Sequence, residues 1–353
     1  MRTVDVSIAV DVVATETTVE ADYVFPAASQ YEKAEMTFFN AGFPTNYATL
    51  RSPLLEPLEG TLPEAEIHSR LAKAMGFITE DDLAPLRSAA EVSYDEFAAA
   101  YMTAAAAKPV LGALGAVVLY ETIGPTLANG MAMAAPMWFS CQQLAMRYPE
   151  QVRAAGYEGK DGALGNAVFD ALIANRDGIA ITQHEHGDSF NLLRTADQKI
   201  NLDLPEMFDE LSDLADSEAL LTNDEYPFVL SAGERRSFTA NTIVRDPEWR
   251  KKDKEGALRL GVDDASELGV ETGDRLRITT AAGSAVAVVE VNDRMQAGHI
   301  SLPNGFGLGY SPAGGEPELT GVAPNELTSS DWSDPIAGTP WHKHVPARLE
   351  TVT

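Results

Sequence analysis

The sequence predicts an α/β region with helical segments followed by an all-β domain, and three observations support this order. Residues 4–13 are rich in Val, Ile and Ala, as expected of a buried strand. Residues 93–151 are rich in Ala and Met and contain helical stretches separated by glycines. Between residues 226 and 310, short apolar runs alternate with brief connections, which favours a closed β-barrel. We therefore divide the chain into residues 1–222 and 223–353.

The helices of the first domain are predicted from apolar spacing and from the residues that end each run. Ile67, Leu71 and Ala74 recur at helical spacing, and Gly76 follows them as a helix end. Residues 204–221 form an amphipathic run with its apolar side chains on one side. The predicted helices are 64–75, 94–107, 131–148 and 204–221, and one short strand is predicted near 179–182.

The second domain is predicted from an ordered series of short strands. An apolar run over 226–232 breaks at Gly233 and continues as small polar and basic residues, which is typical of a strand that leads into a binding loop. Asp264 is a candidate N-cap of a short helix, and Gly269 a candidate helix end. Three further strands are predicted over 275–280, 284–291 and 299–302.

The charge of the chain is strongly acidic. Of its 353 residues, 53 are Asp or Glu and 26 are Lys or Arg, so the formal net charge is −27. Phosphate contacts need a basic surface, so nucleic acid is excluded as an expected partner. A solvated acidic surface is the simpler interpretation, and an acidic docking face for an electron-transfer protein is the alternative.

The single cysteine and the apolar segments limit the possible classes further. Cys141 alone can form neither an intrachain disulfide nor a cysteine-ligated iron–sulfur cluster, so we expect a buried thiol. The N-terminus shows no apolar signal segment, and residues 109–119 are too short to span a bilayer. We expect a cytoplasmic location with no membrane span.

The triplet His184-Glu185-His186 suggests metal binding, but its spacing argues against it. On a strand the two histidines share one face and Glu185 points to the other. The metallopeptidase pattern His-Glu-x-x-His on a helix is absent, and no third ligand lies close in sequence. We therefore predict no metal ligand in this chain.

Several pieces of the second domain follow one another in a recognisable order. They are Gly233-Glu234-Arg235-Arg236-Ser237, the segment 264–274, Gly298 before the last strand, and the tail that holds Asn325, Asp334 and Lys343. Together they resemble the C-terminal molybdopterin-dinucleotide-binding domain of the dimethyl sulfoxide reductase family of molybdopterin oxidoreductases. The resemblance implies that residues 223–353 form a double-psi β-barrel.

The first domain shows a weaker likeness to the same family. Thr15-Glu16-Thr17, Ala21-Asp22, Glu32, Asn40 and Gly42 match the order seen in its Rossmann-like α/β domain, of which residues 1–222 would be the last part. Asp22 and Glu32 are expected to be turn partners rather than catalysts. The resemblance implies that the metal ligand, and any iron–sulfur cluster, belong to an N-terminal portion that is absent or separately encoded.

The cofactor implied by the resemblance is molybdenum bis-molybdopterin guanine dinucleotide, a long, polar and anionic group. Gly233 permits close backbone approach to its pyrophosphate. Arg235 and Arg236 can offer bidentate donors to phosphate, and short hydroxyl and amide side chains can donate and accept. The candidate cofactor-binding residues are Gly233, Glu234, Arg235, Arg236, Ser237, Thr239, Asn241, Asn304, Asn325 and Lys343, and catalytic residues stay unknown.

The resemblance implies the C-terminal part of a two-electron oxidoreductase that contains molybdenum or tungsten. Its expected partners are the N-terminal half or a companion subunit, an electron-transfer protein and a small-molecule substrate. A non-catalytic molybdopterin-type subunit or scaffold is the alternative, and a truncated fragment is a third interpretation. Ser237 replaces a histidine found in several members, and residues 38–44 depart from the family pattern. These departures leave the substrate open.

Overall fold

The computed structural model describes residues 3–37, 42–128, 130–175, 177–216, 222–234, 244–250, 253–311 and 317–352. The chain divides into two compact units, Met1–Ile200 and Asn201–Thr353. The boundary that the sequence predicts after residue 222 stays a prediction. Within the described residues, no helix combines the length and the apolar character needed to cross a lipid bilayer.

The first unit combines short strands with a cluster of helices. Its strands are β1 (Ile8–Asp11), β2 (Tyr23–Pro26), β3 (Glu35–Met36), β4 (Thr45–Ala48), β5 (Leu50–Arg51) and β6 (Ile179–Gln183). Its helices are α1 (Glu16–Val19), α2 (Glu64–Ala74), α3 (Glu80–Val92), α4 (Tyr94–Ala107), α5 (Pro109–Ala113), α6 (Gly115–Thr122), α7 (Met137–Arg147), α8 (Pro149–Ala154) and α9 (Gly162–Ala174). Strand β6 and helices α2 and α4 confirm three of the sequence predictions.

Helix α7 begins later than its predicted start at residue 131. Residues Ala132–Ala134 form a 3-10 turn, and the α-helix follows Pro136. A proline inside a helix removes one backbone donor and clashes with the preceding turn, so it is favoured at the start of a helix. The apolar periodicity alone did not reveal this break.

The helices of the first unit enclose one apolar core. Phe97 of α4 is fully buried and meets the Trp138 ring of α7 edge to face, with ring centroids 5.5 Å apart. Leu164 and Phe169 of α9 join the same core. Cys141 is buried as predicted, and burial raises the pKa of its thiol to about 12. This core holds β6 against α8 and α9.

A charged contact joins the start of α3 to the end of α4. Asp82 Oδ2 accepts hydrogen bonds from Lys108 Nζ at 2.6 Å and from the Thr79 backbone N–H and hydroxyl at 2.8 and 2.7 Å. The Lys108 hydrogen bond, followed by that of Thr79, lowers the pKa of Asp82 to about 2. A carboxylate with a depressed pKa stabilises the fold only while it is ionised.

We therefore expect acid to remove the contribution of Asp82 between about pH 4 and about pH 2. Its stabilisation is complete above the unfolded pKa and is lost as the pH falls through the folded value. In urea titrations across this range, the stability difference between the wild-type chain and Asp82→Asn should shrink toward zero. Asp81→Asn, which removes the same charge next to it, is the control. A difference that is constant with pH would contradict this assignment.

The first strands of the unit depart from the prediction. β1 and β2 form a parallel pair in which Ile8 lies beside Tyr23. Ile8, Val10, Tyr23 and Val24 expose between 38% and 60% of their surface, so the prediction of a buried strand over residues 4–13 is wrong at Ile8 and Val10. Parallel strands are normally covered on both faces, and the described part of this unit does not cover this pair. The Rossmann-like origin of the region stays a prediction.

In the second unit a helix precedes a barrel, and a second helix lies between two barrel strands. Its helices are α10 (Pro205–Asp216) and α11 (Val262–Leu268). Its strands are β7 (Phe228–Glu234), β8 (Leu258–Leu260), β9 (Arg275–Thr279), β10 (Ser284–Val291), β11 (His299–Pro303), β12 (Leu308–Tyr310), β13 (Glu318–Thr320) and β14 (Val345–Thr351). Helix α10 confirms most of the predicted helix 204–221, whose residues 217–221 lie outside the described residues.

Six strands close into a barrel in the order β10-β8-β11-β7-β14-β9. The pairs β7–β11 and β8–β10 are parallel, and the remaining neighbours are antiparallel. Leu230, Leu260, Ile278 and Ile300 are fully buried inside it. The predicted barrel is therefore confirmed, while its double-psi crossover stays a prediction.

Helix α11 ends as predicted but begins differently. Gly269 closes it in the left-handed conformation, with φ +68°, which glycine adopts without a steric cost. Asp264 lies inside the helix rather than at its N-cap, which is Gly261. The Asp264 carboxylate instead accepts the backbone N–H of Gly298 at 2.9 Å and so fixes the turn before β11.

Arg250 belongs to residues 246–256, a highly charged stretch of the kind that usually forms an exposed loop. Its side chain is fully buried and donates to the backbone oxygens of Val244 at 2.6 Å and Lys254 at 3.0 Å. It also donates to the Thr320 hydroxyl at 2.9 Å and lies over the Phe306 ring. The guanidinium thus holds Val244 and Lys254 against Thr320 of β13, because it can donate to several acceptors at once.

Candidate functional site

The strand register brings the predicted polar residues to one end of the barrel. β7 and β11 run parallel, so Glu234 and Pro303 are neighbours at their carboxyl ends. β14 runs antiparallel to β7 and begins there at Val345. β9 runs antiparallel to β14, so its turn into β10 lies at the same end. We call this the loop end, defined by residues 233–234, 281–283, 303–304 and 342–345.

Gly233 and Asn304 are in direct contact at the loop end. Gly233 has φ +86°, and Asn304 Nδ2 donates to its carbonyl oxygen at 2.7 Å. The Asn304 backbone N–H donates to the Glu234 oxygen at 3.0 Å. A Cβ on Gly233 would lie 2.7 Å from Asn304 Oδ1. The position therefore requires glycine for its conformation and for the space beside it.

Glu234 lies in a network of charged and hydroxyl groups. Its Oε1 pairs with Arg259 Nη1 at 3.2 Å, and its Oε2 accepts from the Ser301 hydroxyl at 2.5 Å. Arg259 also pairs through Nε with Glu290 at 3.0 Å. These contacts hold the Glu234 carboxylate in one orientation.

Asn325 reaches the loop end through a short turn. It lies in a 3-10 helix, Pro324–Leu327, and its side chain is exposed. The Thr280 hydroxyl donates to the Leu327 oxygen at 2.9 Å, which ties this turn to the end of β9. Gly283 lies so close that a Cβ there would be 2.4 Å from the Glu326 oxygen. The turn thus presents an amide with open hydrogen-bonding positions.

Lys343 is exposed at the start of the segment that leads into β14. The preceding residue, His342, accepts the Ala232 backbone N–H at 2.8 Å, which places this segment beside the end of β7. Trp332 and Trp341 lie close by in sequence and meet edge to face with centroids 5.8 Å apart. They line a hollow of about 280 Å³ with Thr328.

Half of the predicted cofactor-binding residues are described, and the structure brings most of them together. Gly233, Glu234 and Asn304 are in direct contact, and the backbone next to Lys343 adjoins them. Asn325 joins the same end through Thr280. The other predicted residues, Arg235, Arg236, Ser237, Thr239 and Asn241, lie outside the described residues.

Sequence reasoning missed Arg259 and Ser301, which orient Glu234. Arg259 lies between Leu258 and Leu260, both fully buried. A charged residue between two buried residues of a strand was the available signal, because strand side chains alternate and its partner must lie on the other face. Ser301 carried no comparable signal. Its role becomes visible in the structure, where its hydroxyl donates to the Glu234 carboxylate.

Two acidic residues outside the barrel have structural partners, as expected. Asp22 accepts the backbone N–H and hydroxyl of Ser7 at 2.7 and 2.8 Å, and these bonds lower its pKa. Glu32 accepts the N–H groups of Ser29 and Leu58 at 2.7 and 2.9 Å, which lowers its pKa as well. Both carboxylates secure turns in the first unit.

The donor set at the loop end suits an anionic dinucleotide. Gly233 is buried, and the Asn304 amide occupies the space that a Cβ there would need. Asn325 and Lys343 expose an amide and a cation at the same end. Glu234 and Asn304 add an acceptor and an amide that are already held in place. The described residues therefore fit the cofactor that the sequence implies.

Comparison with known proteins finds a matching domain family in the same region of the chain. Residues 228–346 match the family model of the molydopterin dinucleotide binding domain. Over 162 residues, or 39% of the chain, the sequence is 25% identical to a subunit of tetrathionate reductase from Salmonella typhimurium. The match spans 16% of the length of that relative.

A solved structure gives a further likeness. Acetylene hydratase from Pelobacter acetylenicus aligns with 99% of this chain and 40% of its own, at 19% identity and a TM-score of 0.48. Residues 228–346 therefore match a molydopterin dinucleotide binding domain, in the part of the chain where the sequence predicts one, and the sequence is similar to a subunit of a reductase.

Proposed function

We propose that the loop end of the barrel binds molybdopterin guanine dinucleotide as part of a two-electron oxidoreductase that contains molybdenum or tungsten. The observation that carries the proposal is the contact of Gly233, Glu234 and Asn304 inside the matched domain. Asn304 is separated from Gly233 by 71 positions in sequence. Their contact places a buried glycine beside polar groups that are held in fixed positions.

Each described residue has a role that follows from its position. Gly233 lets the backbone approach the pyrophosphate, and Lys343 supplies a positive charge to its oxygens. Asn304 and Asn325 offer amides to the ring edges or the phosphates. Glu234, oriented by Arg259 and Ser301, offers acceptors to N–H groups of the guanine edge. Arg235, Arg236, Ser237, Thr239 and Asn241 complete the proposed set.

The bound cofactor would supply the redox chemistry, while the protein residues hold and orient it. We propose that the metal ligand, and any iron–sulfur cluster, come from the remaining part of the fold, on an N-terminal half or a companion subunit. The exposed parallel pair β1–β2 supports such a partner, because its apolar side chains need cover on both faces. An electron-transfer protein and a small-molecule substrate complete the proposed assembly.

The test is to co-purify the chain with the product of the neighbouring reading frame. Metal analysis, release of the pterin as its fluorescent oxidised form and assay of guanine nucleotide then report the cofactor. We expect metal and guanine nucleotide in stoichiometric amounts. A folded complex that contains neither metal nor pterin would refute cofactor binding and support the scaffold function.

Variants locate the site within that complex. Lys343→Ala should lower the affinity for the dinucleotide about tenfold, since a charge-assisted hydrogen bond contributes about 1.5–3 kcal/mol. Lys199→Ala, a neutralisation at an exposed position in the other unit, should retain the wild-type nucleotide content. Equal nucleotide content in the two variants would show that Lys343 does not bind the dinucleotide.

A further inference from the structure

The second unit contains an aromatic hollow of about 280 Å³, which Ala281 and Ala282 place at the loop end. Three of its lining side chains are aromatic, namely Tyr226, Trp332 and Trp341. Tyr226 and Trp332 are half-buried, and Trp341 exposes 40% of its surface, so each keeps surface that a dissolved compound can reach. The described lining contains no carboxylate, ammonium or guanidinium group.

The backbone between the two tryptophans fixes their positions. The Trp341 N–H donates to the Trp332 oxygen at 3.0 Å, and Ser333 pairs with Pro340 in an antiparallel bridge. The Asp334 carboxylate closes the intervening turn by accepting two of its backbone N–H groups. Backbone pairing therefore holds the two indole rings side by side without the help of a ligand.

The angle between the rings indicates the shape of the compound that fits. The planes of Trp332 and Trp341 are inclined at 62°, with ring centroids 5.8 Å apart. A flat base packs best against parallel ring faces, whereas inclined rings surround a rounded group from several sides. The π electrons give each aromatic face a partial negative charge that attracts cations, and sets of such rings recognise quaternary ammonium groups. Tyr226 supplies a third ring to this set.

The charges near the hollow also favour a cation. Asp224, Glu225 and Asp331 are each next to a lining residue in the sequence, whereas no lysine or arginine is. The nearest such cation in the sequence, Lys343, is two positions from Trp341. The formal net charge of −27 further concentrates cations at the surface of the chain.

We propose that this hollow binds a free, small quaternary ammonium compound of the size of choline. The charge of a quaternary nitrogen, which has no N–H to donate, is recognised through the aromatic faces. The polar lining side chains Asn223, Thr328 and Ser329 can hydrogen-bond a hydroxyl at the other end of the compound. The volume suits so small a ligand, since pockets for drug-sized molecules begin at about 300 Å³. This inference does not rest on cofactor binding by the barrel.

The test compares two probes of the same shape on the full-length chain. Choline carries the quaternary ammonium group, whereas 3,3-dimethylbutan-1-ol has carbon in place of the nitrogen and is uncharged. Titrations followed through the indole N–H signals in nuclear magnetic resonance spectra should show choline binding about tenfold more tightly. Equal binding of the two probes, or binding of neither, would overturn the proposal.

Variants of the tryptophans test the contribution of the aromatic faces. Trp341→Leu should abolish the preference for choline, whereas Trp341→Phe, which keeps an aromatic face, should retain part of it. Trp249→Leu is the control, because Trp249 is exposed in the same unit and does not line the hollow. A preference for choline that survives Trp341→Leu would contradict recognition by the rings.

Two further probes distinguish other occupants of the hollow. Guanosine monophosphate should not displace choline, because inclined rings and neighbouring carboxylates disfavour a flat anion. Displacement would assign the hollow to the dinucleotide site and overturn the proposal. Binding to phosphatidylcholine vesicles without a response to free choline would overturn it as well, because the ligand would then be a lipid headgroup.

Discussion

Replacement of Arg250 by methionine is expected to lower the free energy of unfolding by about 3 kcal/mol. The guanidinium donates to Val244, Lys254 and Thr320 from a fully buried position. Methionine fills a similar volume but leaves these three acceptors unpaired, at about 1–3 kcal/mol each, while the removed cation no longer has to be desolvated. The net loss therefore lies well below the sum of the three costs.

Urea denaturation of the full-length chain, followed by tryptophan fluorescence, measures this effect. Three of the four tryptophans, Trp249, Trp332 and Trp341, belong to the second unit, so the signal reports mainly on the barrel. Lys254→Met is the matched control, because it removes one positive charge from an exposed pair with Glu248 and should cost less than about 1 kcal/mol. Equal losses in the two variants would mean that Arg250 does not organise this loop.

Gly233→Ala is expected to lower the free energy of unfolding by about 2–4 kcal/mol. Alanine at φ +86° is strained, and its Cβ would lie 2.7 Å from Asn304 Oδ1. Gly269→Ala separates the two causes, because Gly269 has φ +68° and open space around its Cβ position. Gly269→Ala should lower the free energy of unfolding by only about 1 kcal/mol, because only the left-handed backbone conformation disfavours alanine there.

A double-mutant cycle tests the contact itself. Asn304→Ala removes the obstructing amide, so its own cost should be smaller in the Gly233→Ala background than in the wild type. Additive effects of the two substitutions in urea denaturation would show that Gly233 is required for its backbone conformation alone. In the cofactor-containing complex, Gly233→Ala should also lower the guanine nucleotide content, because Gly233 and Asn304 adjoin the proposed pyrophosphate position.

Local sequence signals predicted much of the secondary structure. Helical spacing located α2 and α4, and the apolar run before Gly233 located β7, because side-chain periodicity follows directly from backbone geometry. The prediction for α7 missed a local signal, because Pro136 lies within the predicted helix and delays its start. The prediction for α11 failed because Asp264 bonds to Gly298, which is distant in sequence, instead of capping the helix.

The sequence by itself predicted the barrel and the likeness of the second domain to a molybdopterin-dinucleotide-binding domain, because these depend on motifs and short-range patterns. Only the tertiary structure decided which groups are buried and which are paired. Arg250 lies in a stretch that mixes acidic and basic residues yet is fully buried, and the pairing of β4 with β6 brings Asn46 to Thr182 across 136 positions. Burial and hydrogen-bond partners arise from contacts between distant segments, and a local pattern contains no record of them.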